Sequence, residues 1–199
     1  MSKQVIIAIG REYGSGGHEV GRHIAEKLGL HFYDRKMLDD IAKEKDIHVE
    51  YLEKYDEKPR KLFGSRRVGA YSNSIEEIVA EMQFEYIREK AESGESFVIV
   101  GRCAETVLAD MEGLISIFVL GDMEAKIARV MKSFQITEQE AIAKIKRHDK
   151  HRKQYHNRHS KGKWGDSRIY DLCINSSKLG IDKTVDVVKY FIEERIQNN

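Results

Sequence analysis

The sequence predicts an α/β three-layer sandwich, with helices on both faces of a central parallel sheet of about five strands. Three observations lead there. Four short runs, Val5 to Ile9, Phe97 to Val100, Ile115 to Leu120 and Leu172 to Ile174, are apolar almost throughout and rich in β-branched residues. They are too short for helices, and unbroken apolarity reads as strands buried on both faces. Helical patterns alternate with them, which implies right-handed β–α–β crossovers. A glycine-rich segment joins the first run to the first helical pattern.

Taken in order, Val5 to Ile9 is the first strand. Val20, Ile24, Ala25 and Leu28 form the stripe of a first helix, closed by Gly29. His31 to Tyr33 is a weaker strand. Ile75, Ile78, Val79, Met82 and Tyr86 form a second stripe, with Ser74 placed to cap it and Glu77 three residues on. Ile127, Val130 and Met131 mark a third helix. Thr137 to Tyr155 reads as a long polar helix without an apolar stripe. Val185, Val188, Phe191 and Ile192 belong to a last helix that runs to Ile196. Two segments fall outside this core. Glu57 to Asn73 carries Lys58, Arg60, Lys61, Arg66 and Arg67 among glycines and serines and reads as an exposed, mobile loop. Lys144 to Lys163 is a concentrated basic element whose one acid is Asp149. The expected organisation is a single domain: core 1–56, 74–135 and 169–199, mobile loop 57–73 and helical lid 136–168.

Composition narrows the class. A chain of 199 residues fits one domain with a substantial core. A formal net charge of +1 argues against a global field for nucleic acid or an anionic membrane. Cys103 and Cys173 have no CxxC or cysteine–histidine cluster around them and read as buried free thiols in a reducing cytosol. No run approaches membrane-spanning length, and the first apolar run is too short for a signal peptide. The expectation is a cytoplasmic protein with no membrane partner and no dedicated metal-ligand set.

Gly10-Arg11-Glu12-Tyr13-Gly14-Ser15-Gly16-Gly17-His18 lies between the first strand and the first helix. Glycines let a backbone turn tightly with its N–H groups pointing inward, and the helix N-terminus adds a positive dipole end. Together they cradle phosphate oxygens. Gly10, Arg11, Gly14, Ser15, Gly16, Gly17 and His18 are therefore the candidate nucleotide-phosphate residues. A turn that binds nothing and a dinucleotide-binding loop, for which Asp34 would hold the ribose, are the alternatives. A standard phosphate loop (P-loop) ends in Gly-Lys-Ser/Thr. Here Gly17 stands at the lysine position and His18 follows, so the loop lacks its usual cation and its magnesium-ligating hydroxyl. Arg11 and Arg22 are the nearest replacement cations.

The loop and the helix up to Gly29, His31-Phe32-Tyr33-Asp34-Arg35, the strand Phe97 to Val100 with Gly101-Arg102, and Asp171-Leu172-Cys173-Ile174-Asn175-Ser176 together resemble the cytidylate kinase-like family. The likeness spans nearly the whole chain. It implies a P-loop NTPase-type sandwich with a helical lid, and phosphoryl transfer from ATP with Mg2+. The acceptor would be a nucleoside monophosphate or another small phosphate acceptor. Asp34, Arg35 and Arg102 would face the acceptor, with Arg66 and Arg67 beside them. Arg102 would grip a phosphate with its planar fork. Asp34 is the leading carboxylate for magnesium or for the acceptor's proton, and Glu105 the second. Two acids that flank Gly-Arg in cytidylate kinases are replaced by Val100 and Cys103.

Phosphoryl transfer depends on positioning and charge neutralisation, so cations from elsewhere can replace the loop lysine. Arg147, His148, His151, Arg152 and Tyr155 fall on adjacent turns of one helix. Arg147 and Arg152 are accordingly candidate catalytic residues with Arg102 and Asp34. Competing readings of the basic element are a solvated face, a histidine metal site, and RNA binding with Tyr155 and Trp164 as stacking surfaces. A non-catalytic nucleotide sensor on the same scaffold is the alternative to an enzyme.

Overall fold

The computed structural model describes residues 4–36, 41, 67–68, 71–72 and 75–198. In chain order the strands are β1 (Ile6–Arg11), β2 (His31–Tyr33), β3 (Arg67–Val68), β4 (Tyr71–Ser72), β5 (Phe97–Val100), β6 (Leu114–Leu120) and β7 (Leu172–Asn175). The helices are α1 (Gly17–Leu28), α2 (Ile75–Glu92), α3 (Ala104–Val107), α4 (Met123–Phe134), α5 (Glu138–His159) and α6 (Ser176–Gln197). Five strands form one parallel sheet in the order β2-β5-β1-β6-β7. All five runs singled out in the sequence are its strands. β3 and β4 pair antiparallel within the expected mobile loop. The remainder of 57–73, including Arg66, lies outside the described residues.

The unbroken apolarity of β1 has a direct cause. Alternate side chains meet two different cores. Ile6 and Ala8 pack with Tyr33, Val79, Ile87 and Leu108 on the face covered by α2 and α3. Ile7 and Ile9 pack with Val20, Ile24, Val185 and Val188 on the face covered by α1 and α6. Each fully buried Ile or Val contributes about 1.5–3 kcal/mol, so both faces favour this one register. β1 lies at the centre, with β5 on one side and β6 on the other. The chain switches direction across the sheet here, and the C-terminal ends of strands at such a point form a crevice.

α5 corrects one expectation. It is not without apolar anchors: Ala141 and Ile145 are buried against Val130 of α4. Burial of Ile145 contributes about 2 kcal/mol, several times an exposed charge pair. Thr137 and Glu140 form a reciprocal capping box at its start. The helix runs on to His159, one turn past the expected Tyr155. No described helix is long and apolar enough to cross a membrane.

Candidate functional site

The glycine loop fills the turn between β1 and α1. Gly14 and Gly16 adopt left-handed backbone, with φ of 81° and 79°. Packing demands glycine here as well: a Cβ at Gly16 would overlap the Ile181 side chain, and one at Gly17 the Cβ of Arg11. Gly16, the N-cap of α1, offers no side-chain acceptor, and of the first-turn amides that of Gly17 meets the Ser15 hydroxyl. Ser15 is turned inward. Its hydroxyl donates to the Glu12 carbonyl at 2.9 Å and accepts the Gly17 N–H at 3.3 Å. Arg129 of α4 donates to the Gly14 carbonyl at 2.7 Å. A cleft of about 430 Å³ opens over Gly14, Gly16, Gly17 and His18, with Arg11, Arg129 and Arg152 in its walls.

Beneath the loop lies a buried cation. Lys126 of α4 is 3 % exposed. Its Nζ sits 3.0 Å from Glu12 Oε2 and 3.1 Å from Asp149 Oδ2. Glu12 Oε2 also accepts the Gly121 N–H, and Asp149 Oδ1 accepts the Tyr13 N–H at 2.6 Å. The loop, α4 and α5 are thereby tied into one network. A buried charge of this kind requires such pairing.

α5 also lies directly on the loop. His148 stacks on Tyr13 with ring centroids 4.2 Å apart and planes 7° from parallel. Arg152 places its guanidinium 5.4 Å from the Tyr13 ring centre and donates to the Arg11 carbonyl at 3.3 Å. Burial, followed by repulsion from Arg152, Arg147, Lys144 and His151, pushes the His148 pKa down to about 4. Burial raises the Tyr13 pKa, with Arg152 and Arg147 working against it.

A second, narrower pocket lies between the ends of β1 and β5 and the underside of α5. Its walls include Gly10, Arg11, Arg102, Glu105, Arg152 and His156. Gly101, Arg102 and Cys103 all take positive φ, at 87°, 61° and 50°. For the two that carry a Cβ this costs roughly 1–2 kcal/mol each. Strain of this kind persists where the surroundings over-determine it, typically at sites of function. Its effect is to turn Arg102 inward, 4 % exposed, where Nη1 lies 3.4 Å from Oε1 of the buried Gln83. Glu105 Oε1 and His156 Nε2 are 2.7 Å apart, with both side chains at least nine-tenths buried. Arg11 and Arg152 line both cavities, so the two meet along these side chains.

Asp34 Oδ2 lies 2.8 Å from His18 Nε2, and Asp34 Oδ1 accepts the Lys36 N–H. Burial pushes the Asp34 carboxyl upward, but these two hydrogen bonds outweigh it and hold the pKa below its usual value. Asp34 and His18 thus form a pair beside the loop, apart from the arginine pocket. Arg35 is exposed after β2, and Arg67 lies in β3. Arg147 is exposed, whereas Arg152 reaches the loop. Arg22 pairs with Glu26 at 2.6 Å on the outer face of α1 and is no replacement for the loop lysine.

Three of the four histidines of the basic element have separate packing partners: His148 stacks on Tyr13, His156 pairs with Glu105, and His159 packs edge-on against Phe84. Among the described residues no group of three or more His, Cys, Asp or Glu could hold a metal ion. Tyr155 is buried and so presents no open ring face for RNA stacking, and the half-buried Trp164 packs against Phe118 with centroids 5.4 Å apart. Sequence reasoning missed Lys126, Arg129 and Gln83. Each sits mid-helix, where a polar residue carries no local sign of which way it faces.

The cytidylate kinase-like family matches residues 6–178. A cytidylate kinase of Pyrococcus horikoshii is 29 % identical over 192 residues, covering 96 % of this chain and 89 % of that protein. A solved structure of an uncharacterised protein from Eubacterium ventriosum is 40 % identical. It covers 96 % of this chain and 99 % of its own, with a TM-score of 0.76. A shikimate kinase from Bacteroides thetaiotaomicron shares the fold at a TM-score of 0.57 and 17 % identity, covering 95 % of this chain and 98 % of its own. With the family model matching most of its length, the chain belongs to the cytidylate kinase-like family.

Proposed function

We propose that this protein transfers the γ-phosphoryl group of ATP to a small anionic acceptor, with nucleoside monophosphates such as cytidylate as the acceptors to test first. The observation that carries the reading is the junction of the two cavities at Arg11 and Arg152. The loop cleft has the character of a phosphate cradle: the N-terminus of α1, glycines and cations on its walls. The neighbouring pocket holds Arg102 at the end of β5, so its mouth presents positive charge to an anionic acceptor. A phosphoryl group passing between the two would stay beside two guanidinium groups, which stands in for the absent loop lysine.

The carboxylates under the loop, Glu12 and Asp149, are already engaged by Lys126. Mg2+ therefore fits best as an ion carried on the nucleotide, with waters completing its shell, where it would neutralise phosphate charge. The Gly14 to His18 segment would orient the donor phosphates, and α5 would exclude water from above. The test pairs ATP–magnesium thermal shift with coupled ADP release over a panel of monophosphates and small anions. A rise in Tm with acceptor-dependent ADP release is expected. A rise in Tm with no ADP release from any acceptor, water included, would instead identify a nucleotide sensor.

A further inference from the structure

We infer that Glu105 is the proton acceptor of this site, that His156 positions it, and that the accepting atom is therefore a hydroxyl oxygen on a small anion. This inference rests on the phosphoryl-transfer reading above. Three features of the structure point to it.

The first is geometry. Glu105 lies in the first turn of α3, just after the strained Gly101-Arg102-Cys103 turn, and it lines the same pocket as Arg11, Arg102 and Arg152. Its Oε1 takes the bonds from His156 at 2.7 Å and from the Thr106 hydroxyl at 3.2 Å. Oε2 is left as the acceptor.

The second is charge. A phosphate acceptor brings oxygens that have largely shed their protons and so needs no proton acceptor. A hydroxyl acceptor carries a proton that must leave as the new bond forms, and a carboxylate within reach takes it. The guanidinium groups then hold the acceptor's own anionic group.

The third is size. The pocket offers about 20 Å³, room for one water-sized group. A hydroxyl can enter it, while the rest of the molecule lies toward the loop cleft.

In the step, the hydroxyl oxygen bonds to the γ-phosphorus. The bond from that phosphorus to the β,γ-bridging oxygen breaks, with its electron pair departing on ADP. The hydroxyl proton passes to Glu105 Oε2. Asp34, held by His18 outside this pocket, is the rival acceptor.

The experiment uses the whole protein with ATP–magnesium. Glycerate, gluconate and glycerol 3-phosphate serve as hydroxyl probes, against CMP, UMP and AMP as phosphate probes. Phosphorylation of a hydroxyl probe is expected. Glu105→Gln should lower kcat at least 100-fold, with KM for ATP and the ATP-induced rise in Tm within threefold and 2 °C of the parent. His156→Leu should lower kcat similarly, and His156→Gln, which keeps an N–H donor toward Glu105, should restore at least a tenfold share of it. A merely structural pair would move Tm and KM together with kcat and would show no such rescue. Turnover of the monophosphates alone overturns the inference while leaving the transfer reading intact. So does loss of kcat in Asp34→Asn with Glu105→Gln unaffected. ATP binding without turnover of any probe or of water overturns both.

Discussion

Arg147 and Arg152 illustrate how much a single turn of helix decides. The two are five residues apart on α5 and equally basic, yet only Arg152 touches the loop, through Tyr13 and the Arg11 carbonyl. Arginines that stabilise the transferring phosphoryl are worth about 10³–10⁵ in rate. Arg152→Ala is accordingly expected to lower turnover about 10³-fold at saturating ATP. Its ring contact and hydrogen bond contribute about 2 kcal/mol together, so Tm should fall by about 4–8 °C. Arg147→Ala should lower turnover less than threefold and leave Tm unchanged, since exposed charges contribute little. Equal losses in both variants would return α5 to the status of a solvated basic face. At the same scale, Gly16→Val is a poor probe of the loop. Its Cβ would strike Ile181 and its backbone is left-handed, so the fold would suffer before any ligand did.

At the scale of elements, the seam between α5 and the loop is sensitive to pH through His148. The folded imidazole titrates near 4, below the unfolded value of about 6.5. Between those limits the unfolded chain binds the extra proton, so stability rises with pH across the window and falls on acidification. The Asp34 carboxylate acts in the same direction below it, because its lowered folded pKa adds stability that disappears as pH falls further. Thermal melts from pH 7 to 4.5 should show a falling Tm. His148→Phe, which preserves stacking on Tyr13 without a titrating ring, should flatten that fall. An unchanged pH slope in the variant would assign the acid sensitivity elsewhere.

Across the whole molecule, Lys126 joins three parts that are distant in sequence: Glu12 in the loop, its own helix α4 and Asp149 on α5. Removing one partner from a buried ionic cluster leaves charge uncompensated and costs about 3 kcal/mol or more. Lys126→Met should therefore lower Tm by about 10 °C. Adding Asp149→Asn should recover part of the loss, because a neutral amide oxygen can still accept the Tyr13 N–H while one stranded charge disappears. If the double variant is less stable than Lys126→Met, the cluster is held by something other than charge balance.

The sequence alone determined the sheet, the loop and their order. Strands buried on both faces must be apolar throughout, and a glycine turn feeding a helix must show its glycines, so β1, β5, β6, β7 and Gly10 to Gly17 were legible as local patterns. The C-terminal stop of α1 at Gly29 was legible for the same reason, since its left-handed φ of 65° is a backbone demand that glycine meets. Tertiary structure decided which polar residues meet. Nothing local separates Lys126, buried under the loop, from the solvated lysines around it. The pairing of Glu105 with His156, 51 residues later, depends on how α5 lies over the end of β5. Helical periodicity places a polar side chain on a face, but only packing decides whether that face meets water or another charge.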